Sequence, residues 1–229
     1  MAQRPIFISS DKYPFVEEKL IDFEWHKGLD ITQKRKSIRS LHSAVLEQSN
    51  DLSLLEISTK SENSLGVKLS AFNLMIKLKS KKDVPLENVF HASKVFKNAG
   101  PFKDLLFVPP KEAKSDFRLK ESGELIGFFS NGRMWPLVPK TIFYDWLYIN
   151  TVKRTPTLAT DILSFDAFSD IEFNPKRSFN CQARSAALYV SLVRMGKLDL
   201  YLSNPDDFLA LLGKVSSEIN QPVQENLFG

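Results

Sequence analysis

Apolar residues recur with a helical period in some stretches of this chain and with strand-like alternation in others, and that mixture constrains the fold more than any other feature. Residues 32–47 set Ile38, Leu41, Ala44 and Val45 at helical spacing, with Lys34, Arg35, Lys36 and Arg39 near the start. Residues 52–57 are short and apolar, and residues 67–78 partly alternate, so both read as strands. Asp83 and Pro85 open a helix over residues 86–97, with the proline where its missing N–H costs nothing. Between Arg118 and Pro139, turn signals at Glu121-Ser122-Gly123 and Asn131-Gly132 separate apolar runs and predict hairpins. Thr141 caps a helix over 143–152 that is too aromatic all round for a surface helix, and a short helix follows at 161–165. A strong helix spans 180–195 and stops at Gly196, and Asn204 to Asp207 open a last amphipathic helix. The tail beyond Ile219 is expected to fray. The class is α+β: helix-dominated, with a small antiparallel β portion.

No repeat and no Pro/Gly/Ser linker divides the 229 residues, which predicts one domain with a looser N-terminal third. The 18 phenylalanines promise a core or cleft rich in aromatic faces. A lone Cys181 excludes an intrachain disulfide, and His26, His42 and His91 are scattered, so neither a metal nor another cofactor is expected. The N-terminus lacks a signal-peptide core, and no window approaches the ~18 consecutive apolar residues of a membrane span. These features predict a cytoplasmic protein. Its net charge of +4 is compatible with an anionic partner but too small to argue for one.

In the 86–97 segment, Glu87, Phe90, His91 and Lys94 fall at i, i+3, i+4 and i+7. A helix drifts only ~20° over seven residues, so the four share one stripe. A solvated face with weak charge neighbours is one reading of that stripe. The other is a site, because a phenylalanine sits badly in solvent and a Glu covered by an aromatic face has its pKa raised for acid–base work. Residues 165–188 hold a second polar group among phenylalanines, with Asp166, Asp170, Glu172, Asn174, Asn180, Gln182 and Arg184. Asp166 and Asp170 are turn formers or working carboxylates. Asn180 caps the following helix or helps present its N-terminus to a phosphate. Trp135 belongs to the core or stacks on a base. Lys77, Lys79, Lys81 and Lys82, with the 34–39 cluster, protect a strand edge or track phosphates.

Three of these segments carry a resemblance. Glu87-x-x-Phe90-x-Ala92-x-Lys94 resembles the E-x-x-[FY]-Q-A-x-K-F hallmark of the NADAR superfamily, with His91 where glutamine is usual. Upstream, residues 69–74 with Asn73 are similar to the loop before that helix. Downstream, Asp166-Ala167-Phe168 resembles the D-A-[YW]-W segment, and Asn180 matches the asparagine opening the last core helix. The motifs lie within residues 69–195, and residues 1–60 read as a family-specific elaboration. The chain as a whole looks like the NADAR proteins encoded beside DarT toxins.

The resemblance implies an N-glycosidase that removes ADP-ribose from guanine in DNA, acting as the antitoxin of a DarT-type system. The alternatives are hydrolysis of ribosylamino-pyrimidine intermediates of riboflavin synthesis, or a silent protein that binds ADP-ribose or the toxin. ADP-ribosylated single-stranded DNA or ADP-ribosyl-guanosine would be the substrate and ADP-ribose the product, with no membrane partner. Glu87, Lys94 and Asp166 are the expected catalytic residues, with Lys94 either an amine nucleophile or a phosphate holder. Asn73, Phe90, His91, Trp135, Asp170, Asn180 and Arg184 are the expected substrate-binding residues.

Overall fold

The structure, a computed structural model, describes residues 1–49, 51–176 and 178–219, and for 214–219 the backbone alone. An antiparallel hairpin of β1 (Ala2–Ser9) and β2 (Val16–Phe23) begins the chain, with Ala2 opposite Phe23 and Ser9 opposite Val16. Asp30 caps α1 (Ile31–Gln48), its carboxylate accepting from the Thr32 N–H at 2.7 Å. β3 (Leu54–Glu56) follows and lies parallel to β9 (Ala167–Ser169), which pairs antiparallel with β1. The strand order is therefore β2-β1-β9-β3. Alternate residues of this sheet serve two cores. Ile6, Ile21 and Ala167 pack on Ile38, Leu41 and Val45 of α1, while Phe7, Leu55 and Phe168 face the larger aromatic core. The N-terminal third is thus built into the sheet rather than loose, and the β portion includes a parallel pair.

α2 (Ser64–Lys68) takes up the start of the stretch expected as one strand; only β4 (Met75–Lys77) is extended there, paired with β5 (Asp83–Pro85). Asn63 caps α2 by accepting from the Leu65 N–H at 2.9 Å. Gly66 lets α2 lie against β3, since a Cβ there would stand 1.9 Å from the Glu56 carbonyl oxygen. Gly66→Ala is therefore expected to cost about 1–3 kcal/mol by overpacking, read as a lowered thermal midpoint.

α3 (Leu86–Ala92) ends earlier than its periodicity suggests, and β6 (Lys94–Phe96) begins two residues later. Ser93 donates its N–H and hydroxyl to the Val89 carbonyl, and Val95 and Phe96 then pair with β7 (Leu125–Ser130). Pairing along that strand outcompetes another turn of helix, so Lys94 leaves the helix altogether. A 3₁₀ turn (Lys103–Phe107), α4 (Pro110–Ser115) and α5 (Arg118–Glu121) connect β6 to β7. The 121–123 turn consequently joins a helix to a strand. The 131–132 turn does close a hairpin to β8 (Arg133–Trp135), with Asn131 and Gly132 both at positive φ as such a turn demands.

α6 (Ile142–Lys153) is the aromatic helix, and α7 (Pro156–Asp161) with a 3₁₀ turn (Ile162–Ser164) replaces the short helix expected at 161–165 because Pro156 nucleates it earlier. α8 (Gln182–Arg194) covers the sheet on the side opposite α1. Gly196 at φ +66 ends α8 in a Schellman turn, with Lys197 N–H to Leu192 O and Gly196 N–H to Val193 O. α9 (Leu198–Leu202) and α10 (Pro205–Ile219) complete the fold, the latter capped by Asn204 and tied to β8 by an Arg133–Asp206 ion pair. The tail beyond Ile219 lies outside the described residues. Among the described residues no helix is long and apolar enough to cross a membrane.

Candidate active site

Every residue of α3 is buried, and its setting is fixed from both ends. The Leu86 and Glu87 N–H groups donate to Leu74 and Ala71 carbonyls at 2.8 and 3.0 Å. The Asn88 amide donates to the carbonyls of Leu105 and Val108 at 2.7 and 2.8 Å, which locks the helix onto the 3₁₀ segment. Phe90 packs on Phe128, Phe143 and Tyr144. Glu87 and His91, one turn apart, then face a cleft of about 950 Å³.

Six of the ten expected catalytic and substrate-binding residues line that cleft: Glu87, Phe90, His91, Lys94, Asp170 and Asn180. The other four lie elsewhere, each for a visible reason. Asn73 turns back to donate to the Val67 carbonyl and Ser70 hydroxyl. Trp135, 3% exposed, is packed between Phe143 and Trp146 in the core. Asp166 pairs with Arg194 at 2.9 Å and accepts from the Ser53 N–H, at the opposite end of β9 from Asp170. Arg184 pairs with the buried Asp145 at 2.6 Å. Asn180 lines the cleft without capping α8, whose N-cap is Cys181, and the Asn180 Oδ1 is buried with no hydrogen-bond partner among the described residues.

Glu87 is 6% exposed, and its Oε1 lies 3.2 Å from His91 Nε2 and 3.0 Å from Lys114 Nζ. Burial pushes the carboxyl pKa up, but the His91 hydrogen bond and the Lys114 charge outweigh it and hold it at about 2. The raised value expected from an aromatic cover alone is thus overturned by His91 together with a lysine from α4. Burial lowers the His91 pKa too, so the neutral ring donates through Nε2 to Glu87 and leaves Nδ1 buried without a partner among the described residues. Lys94, its Nζ 5.1 Å from the Phe90 ring centroid, is brought down to about 8 by burial, against the pull of Glu87 and with the push of Lys114.

Asp170 anchors the adjoining wall. Its Oδ1 accepts from the Glu172 and Phe173 N–H groups, and its Oδ2 accepts from Gln182 Nε2 at 3.0 Å. Burial and the neighbouring Glu56 charge push its carboxyl pKa well up. Gln182 also donates to the Ile57 carbonyl and accepts from the Ala71 N–H, so one side chain joins β3, β9, α8 and the loop that seats Glu87. Lys34 belongs to the 34–39 cluster weighed as a phosphate track, whereas periodicity missed Gln182's bridging place and missed Lys114, Arg4, Trp25, Lys140 and Phe179 as well. Nothing local marks them, because each reaches the cleft from a different element.

The sequence matches the family described as DarT1-associated NADAR antitoxin across residues 2–222. The chain belongs to that family. No curated protein matches it. The NADAR match starts at residue 2 and so takes in the N-terminal hairpin that supplies Arg4 to the cleft. A DarT1 toxin is the partner that the family's description carries with it.

Proposed function

We propose that this NADAR protein is an N-glycosidase that releases ADP-ribose from ADP-ribosylated guanine in DNA and thereby counters its DarT-type toxin. The observation that carries the reading is a buried carboxylate, Glu87, sharing one cleft with the Lys94 amine and with aromatic and cationic walls. Breaking the bond between ribose C1 and the guanine nitrogen sends the electron pair to that nitrogen and leaves positive charge on the sugar. An ionised, desolvated Glu87 stabilises that charge. Lys94, partly neutral near pH 7, adds to C1 and is then released by water, while the base nitrogen takes up a proton. Asp170, rather than the Asp166 expected among the catalytic residues, holds ribose hydroxyls or the attacking water. A cleft of about 950 Å³ is near the top of the ~300–1,000 Å³ of small-molecule sites, as a dinucleotide-sized group requires.

Incubating the protein with a single-stranded oligonucleotide bearing ADP-ribosylated guanine should yield free ADP-ribose and the unmodified strand, read by mass spectrometry. Binding without release would instead mark a non-catalytic ADP-ribose binder.

A further inference from the structure

One wall of the cleft comes from the N-terminal segment and takes no part in the chemistry above. Arg4 of β1, Trp25 just after β2 and Lys34 in the first turn of α1 all line it. Arg4 Cζ lies 5.1 Å and Lys34 Nζ 4.8 Å from the Trp25 ring centroid. Arg4 donates to the carbonyls of Gln3 and Ile171, and among the described residues neither cation forms an ion pair. Two cations at one indole, with Asp170 the carboxyl whose charge reaches Arg4, present a positive aromatic face to the cleft.

This wall is set off from Glu87. The contacts run from Glu87 N–H to Ala71 O, Ala71 N–H to Gln182 Oε1, Gln182 Nε2 to Asp170 Oδ2, and then past Asp170 to Ile171, whose carbonyl meets Arg4. A second aromatic–cation platform, Lys140 over Phe179 at 4.0 Å, also lines the cleft. Lys94 over Phe90 and Lys114 over Phe72 line it as well, beside Glu87. The adenine and the modified guanine of one substrate can thus take two of these faces and still leave one for a base of the flanking strand. Arg35 and Lys36 follow Lys34 on α1 and add positive charge near this wall, with Arg35 donating to the Lys60 carbonyl. Among the described residues Phe179 has one cation over its ring, Lys140, where Trp25 has two.

We propose that Arg4, Trp25 and Lys34 form a strand-binding subsite for the single-stranded DNA that flanks the modified guanine. The proposal rests on the N-glycosidase reading for the identity of the ligand. Trp25 stacks on a neighbouring base, and Arg4 and Lys34 take the phosphates beside it. Lys34's long stem lets it exchange the ring for a phosphate and uncover the indole.

Two measurements test this. The first compares kcat/KM on an ADP-ribosylated oligonucleotide with that on ADP-ribosyl-deoxyguanosine, in wild type, Trp25→Ala and Lys34→Glu. The oligonucleotide-to-nucleoside ratio should fall at least about fivefold in each variant, through KM. Lys34→Glu guards against a folding defect in Trp25→Ala, because Lys34 is only partly covered. An equal loss on both substrates would assign the wall to ADP-ribose and overturn the proposal, as would no change in the ratio. The second measures anisotropy of a short, unmodified single-stranded DNA over a salt series. Affinity should fall with salt in wild type and should drop in both variants. If wild type releases no ADP-ribose yet the variants lose DNA binding, the glycosidase reading fails and the subsite stands. DNA binding that is absent from wild type, or indifferent to both substitutions, removes the subsite.

Discussion

Glu87→Gln should lower ADP-ribose release by about 100–1,000-fold while leaving the fold intact, the range seen when one preorganised electrostatic group is removed from an active site. The substitution is nearly isosteric, and the amide still accepts from His91, so α3 keeps its seat on Leu105 and Val108 through Asn88. What is lost is a full negative charge in a desolvated cleft, where it interacts with a developing cation far more strongly than in water. The loss should appear in kcat more than in KM, because the charge opposes a cation that exists only near the transition state. Single-turnover release measured by chromatography checks it, and an undiminished rate would remove Glu87 from the mechanism.

The same variant has a signature in stability. The folded pKa of Glu87 is about 2, below its ordinary 4.5, so the ionised group stabilises the fold above about pH 4.5, and that contribution disappears as pH falls toward 2. Glu87→Gln should therefore flatten the acid limb of a stability–pH curve between those values. Wild type and variant should converge at the acid end.

Parts of this arrangement are legible in the sequence, and the parts that are not share a cause. Glu87, Phe90 and His91 could be found because one helix sets their spacing, and Pro85 marks where it begins. Lys94 was placed in the right cleft for the wrong reason, since it arrives on β6 after the helix has ended. Asp166 and Asp170 look equivalent on paper. They flank a three-residue strand, so they emerge at opposite ends of it, and only the Asp170 end opens into the cleft. The β1–β2 hairpin was hidden because Glu17, Glu18 and Lys19 run together and mask the alternation that buries Ile21 and Phe23. Lys114 was invisible for a different reason. It comes from a short helix 20-odd positions beyond the site segment, and only the docking of α3 against α4 brings it to Glu87. Together with His91 it reverses the expected pKa shift.

Lys94→Arg should cost about 1,000-fold or more in release, because it keeps the positive charge and removes the proposed nucleophile. At a pKa of about 8, roughly a tenth of Lys94 is neutral at pH 7, whereas an ordinary lysine near 10.5 is almost wholly protonated. Burial is the main source of that shift, and a guanidinium in the same place stays charged. The wild-type rate should accordingly rise with pH and level off above about 8. The sign for stability is opposite to that of Glu87: protonated Lys94 weakens the fold below about pH 8, and the penalty fades as pH climbs from there toward 10.5. Glu87→Gln removes the carboxylate that supports the lysine's charge, so it should also move the rate profile to lower pH. Borohydride added during turnover should trap an adduct at Lys94 in wild type and none in Lys94→Arg. If Lys94→Arg retains most of its rate and no adduct forms in wild type, Lys94 is a charge that holds Glu87 or a phosphate, and water attacks C1 directly under the field of the carboxylate.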